Sequence, residues 1–597
     1  MKSYPKNLAA GVLALLPAVP VAVAVFYINE TWAAEAEKAV KTVGAMFAFL
    51  AALPMLIYLL KAGASAGLDR LGLVAIGTVG VLLTACYFFQ ASFYILFPAD
   101  IFIWSESDFV NDILKFRQGY PIFTAEVNNE SFTYVPGAQL VTYFLAWLAG
   151  HPVSVSAYRA IQLFYTALAA VAAFFCCRRL LETARPDGQK ASDSPLWGAV
   201  WLTGLFLIAT NGLTNPFNHL LHNDALAQLF TVTAYWLLLE YETKRNKKLL
   251  WLMAIVPAAG FWIKQSLIIW AFFYLAYLAV FVRPRSIQRV FWFGLAAGGF
   301  LLASVAAGYW LWQDNFIYWV FTVLGAHGVS PLRSFRHLLT IWPYFAAGLL
   351  GGAVLLQASG FKKLFGLWFI WLALISVETY TSGVAWMINH IGPGCLIAGV
   401  WFWAGTAAVW NRFQGSTIKN ATAAEWFRAG AAAVLVLLLF SGFGVVRVPV
   451  RPFDFQDAER YIGEIENEFT GEMPEKVLLD LGSWVYLPNG VIMKDRAPAI
   501  GERGYSQTGD FSGILRRIEE KNYSKILVRN LHSPDFWYDH EMWNRPSGIR
   551  QALLENYREA GRIDAVKGFE PNMLPYGLSQ ISILVPRSDE EIPPNGD

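Results

Sequence analysis

Glu106 and Asp108 open a polar stretch that follows directly on a long apolar run ending near Phe97. Asp112 stands one helical turn beyond Asp108, and Val110, Ile113 and Leu114 give the same segment an apolar side. Such a pattern is that of an amphipathic helix lying at a membrane surface, stopped by Gly119 and kept from resuming by Pro121. Its carboxylates have two readings. They are first-turn acids favoured by the helix dipole, or one of them is a general base that takes a proton from a hydroxyl. A second polar set, TNPFNHLLHNDALAQ, places His219, His222, Asn223 and Asp224 where the next apolar run begins. An N-cap role explains Asp224 by itself, but it leaves the two histidines without a purpose. A carboxylate at the lipid boundary is costly unless paired or solvated, and is a functional candidate for that reason.

Lys264, in FWIKQSLIIW, falls between two short apolar runs. It either snorkels to the head groups or neutralises an anionic group at the membrane surface. Arg333 and Arg336, with His327, lie in GAHGVSPLRSFRH and are suited to complete a phosphate clamp. GVAWMINHIGPG adds Asn389 and His390. A divalent cation, magnesium or manganese, is the one cofactor such a His/Asp set suggests, although the spacing fits no specific ligand pattern.

These groups need elements to hold them, and the composition says which. The 597 residues are 56% hydrophobic and only 15% charged, with a mean hydropathy of +0.41, which excludes an ordinary soluble domain. A net charge of +2 without a basic stripe gives no reason to expect a nucleic-acid partner. Cys86, Cys176, Cys177 and Cys395 all sit in apolar runs, so neither a disulfide framework nor a cysteine metal site is expected. Crossing a hydrocarbon core takes about 20 apolar residues. Thirteen segments qualify: 8–27, 42–60, 72–97, 160–177, 196–213, 225–239, 249–263, 266–282, 291–312, 338–356, 364–377, 393–410 and 429–446. The first could pass for a signal peptide, without altering any later orientation.

Basic residues then fix sidedness. Lys2 and Lys6; Lys61 and Arg70; Arg178, Arg179, Arg185 and Lys190; Lys244 to Lys248; Arg283, Arg285 and Arg289; Lys362 and Lys363; and Arg412, Lys419 and Arg428 alternate onto one face. The solution requires that 136–150 not cross, and it is read as a short helix at or dipping into the outer face. The reading is a multi-pass protein of the inner (plasma) membrane, N-terminus cytoplasmic. Residues 1–450 form the membrane domain with an outer loop at 98–159, and 451–597 form a soluble extracytoplasmic (periplasmic) α/β domain. In that domain strands are expected at 476–481, 525–529 and 580–585, and helices at 454–469 and 512–521.

Carboxylates and cations on one membrane face suit transfer of a sugar from a polyprenyl phosphate: a carboxylate deprotonates the attacking hydroxyl, and cations stabilise the departing phosphate. At Glu106-Ser-Asp108, Gly119, Tyr134-Val-Pro136, Asn223-Asp224 and Ile263-Lys264-Gln265 the chain resembles the GT-C class of polytopic glycosyltransferases. Within that class it looks most like the lipid A aminoarabinose transferases and the protein O-mannosyltransferases. The resemblance covers roughly residues 100 to 270 by motif and the rest by layout. It implies an inverting transfer from a polyprenyl-phosphate sugar donor to an extracytoplasmic acceptor, whether glycan, lipid or protein. Asp108 or Glu106 would be the base, and Asp224 would orient acceptor or metal. Lys264, Arg333 and Arg336 would face the donor phosphate, with His222, Asn223, His219, Tyr134 and His390 as acceptor or metal contacts. Three departures stand out. The acidic loop follows the third span rather than the first, Ser107 separates the acidic pair, and the usual Pro-Pro element is reduced to Tyr-Val-Pro. An oligosaccharide ligase or polymerase using a lipid-diphosphate donor would use similar loops. A transporter would instead place its polar groups at the bilayer midplane.

Overall fold

The computed structural model describes residues 68–103, 105–184, 195–359, 364–384, 388–414, 452–480, 482–496, 503, 509–529, 531, 548–567 and 578–588. The expected spans at 8–27, 42–60 and 429–446 lie outside these. The other ten each fall on a helix: α1 (Leu68–Leu96), α4 (Val155–Ala184), α5 (Pro195–Ala209), α6 (Asp224–Lys244), α7 (Lys247–Ile263), α8 (Ile269–Val280), α9 (Ile287–Ile317), α10 (Pro331–Ser359), α11 (Phe365–Thr381) and α12 (Gly392–Gln414). Among the described residues six helical stretches are long and apolar enough to cross a membrane unaided, within α1, α4, α9, α10, α11 and α12. The chain is a polytopic helical membrane protein.

Small residues let the central helices approach closely. A Cβ on Gly351 of α10 would lie 2.3 Å from the Trp401 carbonyl, and one on Gly405 of α12 would lie 2.6 Å from the Gly351 Cα. The two backbones touch, as expected where packing rather than water exclusion drives helix association. α12 is enclosed, with Cys395, Trp401 and Ala404 buried, whereas α9 presents Ile287, Leu302 and Trp310 outward.

Two short helices frame the polar end. α2 (Glu106–Arg117) begins at the expected acid, and Gly119 ends it at φ +65°. α3 (Gly137–Leu148) buries Ala138, Gln139, Thr142 and Ala146, while Val141, Phe144, Trp147 and Leu148 are exposed. At twelve residues with one apolar face outward, it has the form of an interfacial helix rather than a crossing. Gly137 seats it: a Cβ there would meet the Trp262 carbonyl at 2.3 Å, so only glycine lets α3 start against the end of α7.

The C-terminal segment carries α13 (Phe455–Asn467), α14 (Ser512–Glu519), α15 (Ile549–Asn556) and strands β1 (Val477–Leu479), β2 (Lys525–Arg529), β3 (Tyr557–Ile563) and β4 (Ile581–Pro586). The sheet order is β1-β2-β4-β3, with β1 parallel to β2 and the other pairs antiparallel. Three strands and both amphipathic helices match the pattern reading. β3 and α15 were not legible. β3 is an edge strand with Arg558, Ala560 and Arg562 exposed and Glu559 and Gly561 on the other face, so its sequence lacks the apolar–polar alternation that marks a half-buried strand.

This segment rests on the loop after α1. Phe455 stacks on Phe93 with ring centroids 4.7 Å apart. The Asp100 carboxylate accepts from the Ser483 and Trp484 amides at 2.9 Å, and Arg529 Nη1 donates to the Ile101 carbonyl at 2.9 Å. Burial pushes the Asp100 carboxyl up to about 6, against the Ser483 amide that favours its charged form.

Candidate active site

The two carboxylates that open α2 have different surroundings. Glu106 is sealed: Arg159 Nε donates to its Oε1 at 2.7 Å, Arg159 Nη2 to Oε2 at 2.5 Å, and the Leu221 amide to Oε1 at 3.0 Å. Both partners are fully buried. Arg159 also donates to the carbonyls of Tyr94, Phe97 and Ala99 at 2.6–2.8 Å. It therefore ties the end of α1 and the residues after it to the Glu106 side chain that opens α2. Both oxygens of Glu106 are thus engaged within the protein, Oε1 by two donors and Oε2 by one.

Asp108 is half-satisfied. Its Oδ1 accepts from Arg496 Nε at 3.0 Å, while Oδ2 has no hydrogen-bond partner among the described residues. Both side chains are buried, and the Arg496 Nη1 and Nη2 atoms have none among those residues either. One turn on, Asp112 Oδ2 accepts from Gln139 Nε2 of α3 at 2.9 Å, and its Oδ1 is unpartnered. Lys115, 3.8 Å from Asp112, is held by the carbonyls of Ile122 and Glu130. Burial pushes the Asp108 carboxyl up to about 7; Arg496 opposes that rise and Asp112 adds to it. Burial also raises Asp112 to about 6, with Lys115 opposing.

The second polar set closes on Asp224 at the start of α6. Lys264 Nζ donates to its Oδ1 at 2.5 Å and Asn389 Nδ2 to its Oδ2 at 2.7 Å, and His222 Nδ1 stands 3.2 Å from Oδ2. The chain positions Lys264 by breaking the helix. At φ −156° and ψ 128° it is extended between α7 and the 3₁₀ turn Gln265–Ile268. Gln265 then donates to the Thr133 carbonyl at 2.7 Å, tying this break to the loop ahead of α3. His390 lies in the electrostatic neighbourhood of Asp224 and Lys264. Asn223 precedes α6 without capping it, and both its amide atoms are buried and unpartnered.

A layer of rings joins the two centres. His222 lies 5.2 Å from Phe109 and 5.9 Å from Tyr134, and Phe109 packs on Tyr134 at 5.8 Å. Phe109, Tyr134, His222, Asp224 and Lys264 are thus contiguous, and Asp108 precedes Phe109 on α2. Three expected members stand differently. His219 Nδ1 pairs with Asn218 Oδ1 at 2.8 Å, and its ring lies 5.3 Å from Tyr94, outside the Asp224 cluster. Arg333 donates to the carbonyls of Gly383 and Val384 at 3.3 and 3.0 Å. Arg336 is exposed on α10. Among the described residues no three of His, Cys, Asp and Glu form a metal-ligand set.

Sequence reasoning did not find Arg159, Gln139 or Arg496. Arg159 carried one usable signal: in the topology read from the charges it lies on the face where basic residues are disfavoured, so it needed an acidic partner. Arg496, 388 residues from Asp108, carried none.

No protein-family model and no curated protein matches the chain. Among solved structures, it is similar to ArnT from Cupriavidus metallidurans in the apo state, with a TM-score of 0.48 and 13% identity over 84% of this chain and 97% of that chain. A likeness at that level carries no argument about reaction or substrate.

Proposed function

We propose that this protein is a GT-C-like membrane glycosyltransferase that moves a sugar from a polyprenyl-phosphate donor to an extracytoplasmic glycan, lipid or protein acceptor, with inversion. The observation that carries the reading is that Phe109, the chain neighbour of Asp108, packs on His222, which stands 3.2 Å from Asp224 beside Lys264, while Asp108 keeps one carboxylate oxygen without a partner among the described residues. Asp108 Oδ2 takes the proton of the acceptor hydroxyl as its oxygen attacks the anomeric carbon. The bond from that carbon to the phosphate oxygen breaks, and polyprenyl phosphate leaves. Lys264 exchanges part of its bond to Asp224 for the phosphate oxygens, which keeps the buried ammonium paired throughout. Glu106, held on both oxygens by Arg159, serves structure.

The test is release of polyprenyl phosphate from a panel of polyprenyl-phosphate sugars by the purified protein, with membrane extract as acceptor source. Acceptor-dependent release from one donor is the expected result. No release from any donor moves the reaction to another class, a lipid-diphosphate donor being the first to try.

A base must be ionised to act, so with Asp108 near 7 the rate is expected to rise with pH through neutrality. Below that the carboxyl is protonated and kcat/KM falls about tenfold per pH unit.

Asn223 gives a second expectation. Its buried amide makes no hydrogen bond among the described residues, so Asn223→Leu removes an unsatisfied group and should leave the thermal midpoint unchanged or higher. Its turnover should fall, with donor or acceptor KM raised, because the amide is free for a substrate hydroxyl. Thermal unfolding in detergent alongside steady-state kinetics separates the two effects. A destabilised but fully active Asn223→Leu protein would contradict both.

A further inference from the structure

The C-terminal segment meets the membrane domain through ring stacking and through bonds between side chains and backbone groups, and it also places a cation on α2. Arg496 crosses to α2 and sets its Nε 3.0 Å from Asp108 Oδ1, with both side chains buried. Its own backbone is held in place, the Arg496 amide donating to the Asn129 carbonyl at 3.3 Å. Next to it Asp495 is locked by Arg517, Tyr523 and Asn129, the last at 3.2 Å. The pair is therefore aimed by a rigid surround, yet it is not closed. Among the described residues, Asp108 Oδ2 and both terminal nitrogens of Arg496 lack partners. A structural salt bridge at this depth normally spends its remaining donors and lone pairs, as the Glu106–Arg159 pair does a turn away.

Resting on the reading of Asp108 as the base, we infer that Arg496 is a positioning residue for the transfer. Supplied by the C-terminal segment, it fixes one oxygen of the Asp108 carboxylate so that the other faces the acceptor hydroxyl, and it favours the charged form of that carboxylate against burial. The C-terminal segment is then part of the catalytic unit rather than a cover over it. The charged and titratable groups around the pair are few. Asp112 and Lys115 lie on α2 itself, Glu130 is close enough to act on Lys115, and Asp100 and Tyr486 are close enough to feel Arg496. Arg496 is the cation that acts most strongly on Asp108, ahead of Lys115, which several carbonyls already hold.

The experiment is the pH profile of kcat/KM for full-length wild type, Arg496→Gln and Arg496→Lys, with Asp108→Asn alongside. Removing an opposite charge in direct contact should move the acidic limb of Arg496→Gln up by about 1 to 3 pH units, with activity recovering at alkaline pH. Lysine keeps the charge without the guanidinium geometry, so its limb should lie between the two. A uniform loss of rate in Arg496→Gln with the limb unmoved is a structural effect and overturns the inference. Should the glutamine protein fail to fold, the lysine protein decides: an upward limb supports the assignment and an unmoved one overturns it. Activity retained by Asp108→Asn sinks the reading of the base itself, an outcome distinct from either.

Discussion

Asp108→Asn is expected to lower kcat by about 10²- to 10⁴-fold, the range a positioned general base contributes, while donor KM changes little. The substitution keeps the shape of the side chain and its bond from Arg496, because an amide oxygen accepts from Nε as a carboxylate does. What it removes is the basic oxygen, and with it the pH dependence near 7. One side effect has to be separated from chemistry: Arg496 becomes a buried cation without a counter-charge, which costs stability. The thermal midpoint is therefore expected to drop as well, and turnover must be measured below the onset of unfolding. Polyprenyl phosphate release, normalised to folded protein, is the readout. A folded Asp108→Asn protein with wild-type turnover would remove Asp108 from the chemistry.

Much of the scaffold around Asp108 was readable in the sequence because local rules decide it. The carboxylates, the apolar side and Gly119 fixed both ends of α2, and the length and flanking prolines of 136–150 marked α3 as a helix that does not cross. Lys264 and Asp224 were singled out separately, each from its position at a boundary where a charge is costly, and they are bonded at 2.5 Å. What stayed hidden is long-range. Glu106 and Asp108 are alike in sequence, and their difference lies in two arginines 53 and 388 residues away. The same holds for Arg333, which suits a phosphate by residue type but spends its guanidinium on the carbonyls of Gly383 and Val384. Residue type proposes chemistry, and the partners the fold supplies decide which groups remain available for it.

The sharpest consequence of that distinction concerns Glu106 and Arg159. Breaking a buried ion pair by removing one partner typically costs about 3–5 kcal/mol, so both Glu106→Ala and Arg159→Met should be strongly destabilised. They should not be equal. Arg159 also donates to three backbone carbonyls between Tyr94 and Ala99, and Arg159→Met strands all three with the Glu106 carboxylate. Glu106→Gln, by contrast, keeps an oxygen to accept from Arg159 and from the Leu221 amide. The expected order of thermal midpoints is wild type, then Glu106→Gln, then Glu106→Ala, with Arg159→Met lowest. Adding Glu106→Leu to Arg159→Met should recover only part of the loss, because the three carbonyls stay unpaired whatever stands at position 106. Catalysis should follow a different rule. Glu106→Gln, once folded, is expected to retain turnover and an acidic limb at the wild-type pH, because the group that titrates is Asp108. If Glu106→Gln instead abolishes turnover while its midpoint stays near that of wild type, Glu106 is the base, and Arg159 is the residue that a bound substrate must displace.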